Sequence, residues 1–166
     1  MVIERFDEAE FPEVAVVLRE AYRGTVDDDD GDPIDALRLA ARGEYGDPLP
    51  ETFLRVMVDG ATAAATMWTF WRGRPLVAFV FTHPDFQRRG YATALIRAAA
   101  RHVPDGAVSL VVTAASPAVS TYRNLGFVEV DPPTAELGPA STADLAATCD
   151  ADAASEAASG PARDMR

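Results

Sequence analysis

Gln87-Arg88-Arg89-Gly90-Tyr91-Ala92 is the stretch on which the reading of this chain turns. It lies between an apolar, strand-like run from Leu76 to Thr82 and a helix-like run from Tyr91 to His102. A strand, a tight turn rich in amide N–H and guanidinium groups, then a helix start makes a cradle for a pyrophosphate. The first N–H groups of a helix have no intrahelical partner, and the helix dipole adds partial positive charge there. Gly90 supplies backbone freedom and lets a phosphate come close. The same residues would also serve as an arginine-containing surface turn before an ordinary helix. A second stretch separates the two readings: Tyr122-Arg123-Asn124-Leu125-Gly126-Phe127, whose Gly126 lies 36 residues after Gly90.

In that order and spacing, the two stretches resemble the GNAT N-acetyltransferase superfamily. The family's acyl-CoA loop, Gln/Arg-x-x-Gly-x-Gly/Ala, is matched by Gln87, Gly90 and Ala92. The end of its later helix, Tyr-x-x-x-Gly-Phe, is matched by Tyr122, Gly126 and Phe127. Thr82-His83-Pro84-Asp85-Phe86 is similar to the exit of the family's fourth strand. The likeness covers residues 1 to about 138 and says almost nothing about the acceptor. It implies an α/β fold with a mixed, mostly antiparallel central sheet flanked by helices, and acetyl-CoA as the acyl donor.

Composition narrows the classes. At 166 residues the length fits one domain. The net charge of −11 argues against nucleic acid, whose phosphates need a basic surface. All 15 basic residues are arginine, so the chain cannot be acetylated on a lysine of its own. The lone Cys149 excludes an intrachain disulfide, and without a Cys/His cluster no metal site is expected. No apolar run reaches membrane-spanning length and no signal-peptide pattern opens the chain, so a cytoplasmic location is expected.

Periodicity gives the order of elements. Val2 to Phe6 reads as a strand, and Glu10 to Tyr22 as a helix with Phe11, Val14, Val17, Leu18 and Tyr22 on one stripe. Asp32-Pro33 is an N-cap with proline at the first helical position, opening a second helix to Arg42. Phe53 to Val58, Ala61 to Trp71 and Arg74 to Thr82 read as strands joined by Asp59-Gly60 and Arg72-Gly73. A helix from Tyr91, a buried strand from Val108 to Thr113, a helix opened by Ser116-Pro117 and ended by Gly126, and a strand from Phe127 to Val130 follow. The order is β-α-α-β-β-β-α-β-α-β. The family's seventh strand has one candidate, Thr134 to Leu137, cramped after Pro132-Pro133: short, irregular or absent. Residues 1–138 thus form the expected domain. Residues 139–166, rich in Ala, Ser and Asp, read as a mobile acidic tail too poor in apolar surface to offset its ordering entropy.

Chemistry is assigned residue by residue. Backbone N–H groups of Arg88, Arg89, Gly90, Tyr91 and Ala92 would bind the pyrophosphate, with an arginine adding charge. By the resemblance, backbone atoms near Phe81, Thr82 and His83 would bind the pantetheine arm as an added strand and meet the developing oxyanion. Tyr122 would protonate or hydrogen-bond the leaving thiolate, since a phenol of pKa ~10 matches its basicity; its other reading is an aromatic packed on the sheet. The family's asparagine seven residues earlier is replaced by Ala115, with Ser116 as substitute or helix cap. No base can be assigned: His83, Glu44, Glu51 and a water chain stand level. Asp27 to Asp30 reads first as a solvated loop, though in this family the position borders the acceptor cleft and would draw a cationic amine. Trp68, Phe70 and Trp71 could line that cleft or pack the sheet. The partners implied are acetyl-CoA and a small-molecule or peptide amine, with no nucleic acid and no membrane; a homodimer is left open.

Overall fold

The computed structural model describes residues 1–113, 115–130, 140–141 and 163–165. In chain order the elements are β1 (Val2–Arg5), α1 (Phe11–Tyr22), α2 (Pro33–Ala41), β2 (Asp47–Pro48), β3 (Leu54–Val58), β4 (Ala61–Trp71) and β5 (Arg74–Thr82). Then come α3 (Tyr91–Ala100), β6 (Ala107–Val112), α4 (Val119–Asn124), β7 (Glu129–Val130), β8 (Ala140–Ser141) and β9 (Arg163–Met165). Antiparallel pairing joins β1 to β3, β3 to β4 and β4 to β5, whereas β5 and β6 run parallel. Both hairpin turns carry positive φ at their two central residues: 51° and 82° at Asp59-Gly60, 50° and 82° at Arg72-Gly73. That is the demand of a type I′ turn, and it fixes the register on either side of β4.

Alternation along the strands sorts side chains onto two faces. Ala65, Met67 and Phe81 pack with Phe11, Val14, Leu18 and Leu37 of α1 and α2. Val56, Trp68 and Val77 pack with Leu95, Ile96 and Ala99 of α3 and with Val119 and Tyr122 of α4. Trp68 therefore belongs to the core; its indole N–H donates to Thr66 Oγ1 (3.0 Å), whose hydroxyl donates to the Phe79 carbonyl (2.7 Å). Phe70 and Trp71 end β4 at the surface. A buried Arg55 ties β3 to β1 through Glu4, to the turn before α1 through Glu10 and to α1 through Glu13, at 2.8–3.3 Å.

One irregularity shapes the rest. Met67 pairs with Phe79 but Trp68 pairs with Val77, so Ala78 is an extra residue in β5. A bulge of this kind bends its strand. The parallel pairing of β5 with β6 comprises Leu76↔Ser109 and Val77↔Leu110 and stops there, beside the bulge. From Ala78 to Thr82, β5 keeps β4 on one edge and has no strand on the other among the described residues.

Several boundaries differ from the sequence expectation by one to three residues, and β2 was not expected; two of the differences flank Tyr122. The helix expected from Ser116-Pro117 begins at Val119, because residues 115–118 form a turn in which Ser116 N–H bonds the Thr113 carbonyl (2.8 Å). The strand expected from Phe127 is confined to Glu129–Val130, because Phe127 is used to end α4. Of the expected tail, β8 and β9 are described, each as a short strand antiparallel to β6, and β9 also pairs with β7. The rest of 139–166, and the Thr134–Leu137 candidate strand, lie outside the described residues.

Candidate active site

Where β5 parts from β6, a cavity of about 390 Å³ opens. The end of β5 (Val80, Phe81, Thr82) forms one wall. The loop and start of α3 (Gln87 to Thr93 in part), the segment leading into α4 with Tyr122, and the end of α1 with Thr25 and Asp27 form the others. Elements packed on both faces of the sheet thus meet at one gap.

The α3 end is built by backbone conformation. Arg88 has φ +59° and Gly90 φ +78°, so the loop turns twice through the left-handed region before the helix starts. Only glycine takes that conformation without a Cβ penalty, and Gly90 is the residue at the N-cap of α3. With no side-chain cap there, the first N–H groups of α3 are available to an anion. Arg88, Gly90, Tyr91 and Ala92 all line the cavity. Arg89 does not; its guanidinium bonds the Asp85 carbonyl (3.0 Å) and lies over the Phe86 ring at 5.3 Å. His83 is also not among the lining residues. Its Nδ1 accepts from Asp85 N–H (3.2 Å), capping the short turn at 84–86, while its own N–H bonds the Ala63 carbonyl (2.9 Å).

Tyr122 is set by the way α4 ends. Phe127 N–H bonds the Tyr122 carbonyl (3.1 Å) and Gly126 N–H bonds the Arg123 carbonyl (3.0 Å), with Gly126 at φ +91°. This is a Schellman termination, and its customary apolar contact is the Tyr122–Phe127 ring pair at 6.0 Å. The Tyr-x-x-x-Gly-Phe pattern therefore has a physical content: it ends the helix and clamps the tyrosine ring. Tyr122 is 8% exposed, lines the cavity, and its hydroxyl has no hydrogen-bond partner among the described residues. Burial pushes its pKa above the ordinary phenol range, and Tyr22 and Asp27 add to the rise. It remains a neutral phenol at physiological pH, able to donate but not to act as a base. Ser116 also lines the cavity; Ala118 N–H reaches its Oγ at 3.4 Å, a local turn contact.

The α1 end holds residues that the sequence did not single out as a group. Tyr22, read only as part of the helix stripe, lines the cavity, and its pKa is pushed up to about 12, by burial first and then by Asp27 and Asp29. The four consecutive aspartates separate in role. Asp28 accepts from Gly24 N–H (2.6 Å) and Asp29 from Gly31 N–H (2.8 Å), both stitching turns. Asp27 alone of the four lines the cavity, and Thr113 at the end of β6 donates to its Oδ1 (2.7 Å). Glu44 and Glu51 are not among the lining residues.

A family model described as an acetyltransferase (GNAT) domain matches residues 45–142, more than half of the chain. The chain belongs to the GNAT acetyltransferase family. No curated protein matches this GNAT chain in sequence. Among solved structures it is similar to the ribosomal-protein-S18-alanine N-acetyltransferase of Escherichia coli (18% identity, 99% of this chain and 90% of that one, TM-score 0.62). It is also similar to a GNAT family acetyltransferase from Brucella melitensis in complex with acetyl-CoA (18%, 76% and 82%, TM-score 0.60). A third likeness is to an acetyltransferase from Salmonella typhimurium with its cofactor acetyl-CoA (19%, 79% and 81%, TM-score 0.59). At these identities the likeness is one of fold.

Proposed function

We propose that this GNAT domain transfers an acetyl group from acetyl-CoA to an amine by direct attack in a ternary complex. The observation that carries this reading is the unpaired edge of β5 opening into one cavity with the left-handed Arg88–Gly90 loop and the unpartnered Tyr122 hydroxyl. An extended amide-bearing arm can pair with that edge as an added strand. The N–H groups at the start of α3 suit a pyrophosphate, and Arg88 is the cation beside them. Backbone N–H groups of Phe81 or Thr82 can stabilise negative charge developing on the acyl oxygen. Tyr122 gives its proton to the departing thiolate. Arg89 and His83 contribute by bracing the loop, through Asp85 and Phe86. The same reading assigns the activity to residues 1–138 and the protein to the cytoplasm.

The test has two parts. Acetyl-CoA should raise the melting temperature, as any ligand of the native state does. Thiol release should then accompany addition of an amine panel. A melting shift with no thiol release for any amine would leave a silent acyl-CoA-binding module.

A further inference from the structure

We infer that Asp27 is the acceptor-binding carboxylate of this site: it seats the ammonium of the incoming amine and takes its proton, with Thr113 holding it in place. The inference rests on the acetyl-transfer reading and adds to it the group that the sequence left unassigned.

The charge distribution of the cavity comes first. Among its described lining residues Arg88 is the one cation and Asp27 the one anion. They belong to elements on different faces of the sheet: Arg88 precedes α3, and Asp27 follows α1. The end of β5 and Tyr122 line the same cavity, and there the reacting acyl group would sit. A ligand pair with phosphates at one end and an ammonium at the other fits this arrangement. Two anionic ligands do not.

The second observation is the contrast among the aspartates. Asp28 and Asp29 are exposed and spend oxygens on turn amides, whereas Asp27 is partly buried and turned inward. The loop is shaped to put it there. Thr25 Oγ1 donates to the Tyr22 carbonyl (2.8 Å) and accepts from Asp27 N–H (3.2 Å), and Asp28 N–H bonds the Thr25 carbonyl (3.2 Å). Thr113 then occupies Oδ1, leaving Oδ2 with no partner among the described residues. Independently, Tyr122, 8% exposed, lines the same gap with a hydroxyl that has no hydrogen-bond partner among the described residues, a polar group open to a ligand.

The third point is elimination. Tyr22 and Tyr122 are both held in the protonated form by burial and by Asp27, so neither can accept a proton at neutral pH. The remaining polar lining side chains are hydroxyls and an amide. Among the described lining residues Asp27 is the proton acceptor that remains. The step balances as follows. The ammonium gives one proton to Asp27 Oδ2. The freed nitrogen lone pair forms the bond to the acyl carbon, the C–S bond breaks, and the thiolate takes the Tyr122 proton. The second nitrogen proton returns to the Tyr122 phenolate, restoring the tyrosine, and Asp27 releases its proton to solvent.

The test compares two amines of nearly the same shape, ethylamine and 2,2,2-trifluoroethylamine, whose ammonium form is far more acidic. Thiol release from acetyl-CoA is measured for wild type and Asp27→Asn, an isosteric change that can keep the Thr113 contact. The expected result is a fall in kcat/KM with ethylamine of about 10²-fold or more, the range of acid–base effects. With trifluoroethylamine, largely neutral already, the fall should be under about 10-fold. Thr113→Val should show the same preference at smaller size. The acetyl-CoA melting shift should persist in both variants, which establishes that they fold. Equal losses with the two amines, or no loss with either, would overturn the assignment while leaving acetyl transfer intact. A wild type that binds acetyl-CoA but releases no thiol with any amine would remove the transferase reading itself, and this inference with it.

Discussion

The two ends of the cavity are made in different ways. At the α3 end the ligand-facing groups are backbone amides, aimed by consecutive local features: a left-handed Arg88, a left-handed Gly90 and a helix start. At the α1 end they are side chains, aimed by a contact between Asp27 and Thr113 across 86 residues of sequence. Local backbone geometry leaves a readable spacing in the chain. A contact between distant side chains leaves none. On the proposed reading, the end that would hold the invariant part of a ligand can be written as a motif, and the end that would select the variable part cannot.

Variants should separate the two ends, beginning with the largest effect. Gly90→Glu should abolish the acetyl-CoA melting shift, because it forces a side chain into the left-handed region and sets a carboxylate where the proposed function places the pyrophosphate. A full shift in a folded Gly90→Glu protein would show that the α3 end is not the phosphate site. Tyr122→Phe lies between the ends. It should lower turnover by about 10²-fold while leaving acetyl-CoA binding nearly unchanged. Unchanged turnover, with chemistry rate-limiting, would reduce Tyr122 to a clamp for α4.

Arg88→Ala should weaken acetyl-CoA by about 10-fold, the scale of one charge-assisted contact, without altering the ranking of amines. A change in amine ranking would mean that the two ends are coupled. A further measurement reads the α1 end directly. Tyrosinate absorbance should show Tyr22 ionising only near pH 12, and Asp27→Asn should lower that midpoint. Because the folded pKa lies above the unfolded one, this group adds stability below about pH 10, which is lost as pH rises toward the folded value. The smallest effect is expected from truncation after Gly138. If 139–166 contributes little, cooperative unfolding and acetyl-CoA binding should both survive. A lower melting temperature would assign the β8 and β9 pairings on β6 a structural part.

The sequence carried most of the fold because its signals are local. Asp32-Pro33 capped α2, with Asp32 accepting from Ile34 N–H (2.9 Å), and the two hairpin turns placed three strands in register. Ser116-Pro117 misled because cap and proline signals also describe a turn, and the turn here completes itself before the helix begins. Within the site, Arg88 and Arg89 read alike in sequence. Only folding shows that one faces the cavity and the other braces Asp85 and Phe86. The four aspartates were similarly indistinguishable until turn contacts claimed Asp28 and Asp29 and Thr113 claimed Asp27. A bulge at Ala78 had no sequence signal at all, yet it lies where the site opens.

That bulge has a consequence on the timescale of amide hydrogen exchange. Backbone N–H groups point alternately to the two edges of a strand, so in β5 those directed at β4 are held whatever the cavity contains. Those directed the other way, from Ala78 to Thr82, have no strand among the described residues to hold them. Exchange along this one strand should therefore stutter: slow and fast amides in succession, with the rhythm broken once at the extra residue. Adding acetyl-CoA should slow the fast set alone. The strand would then serve as its own internal reference, each protected amide a control for the neighbour that waits for the ligand.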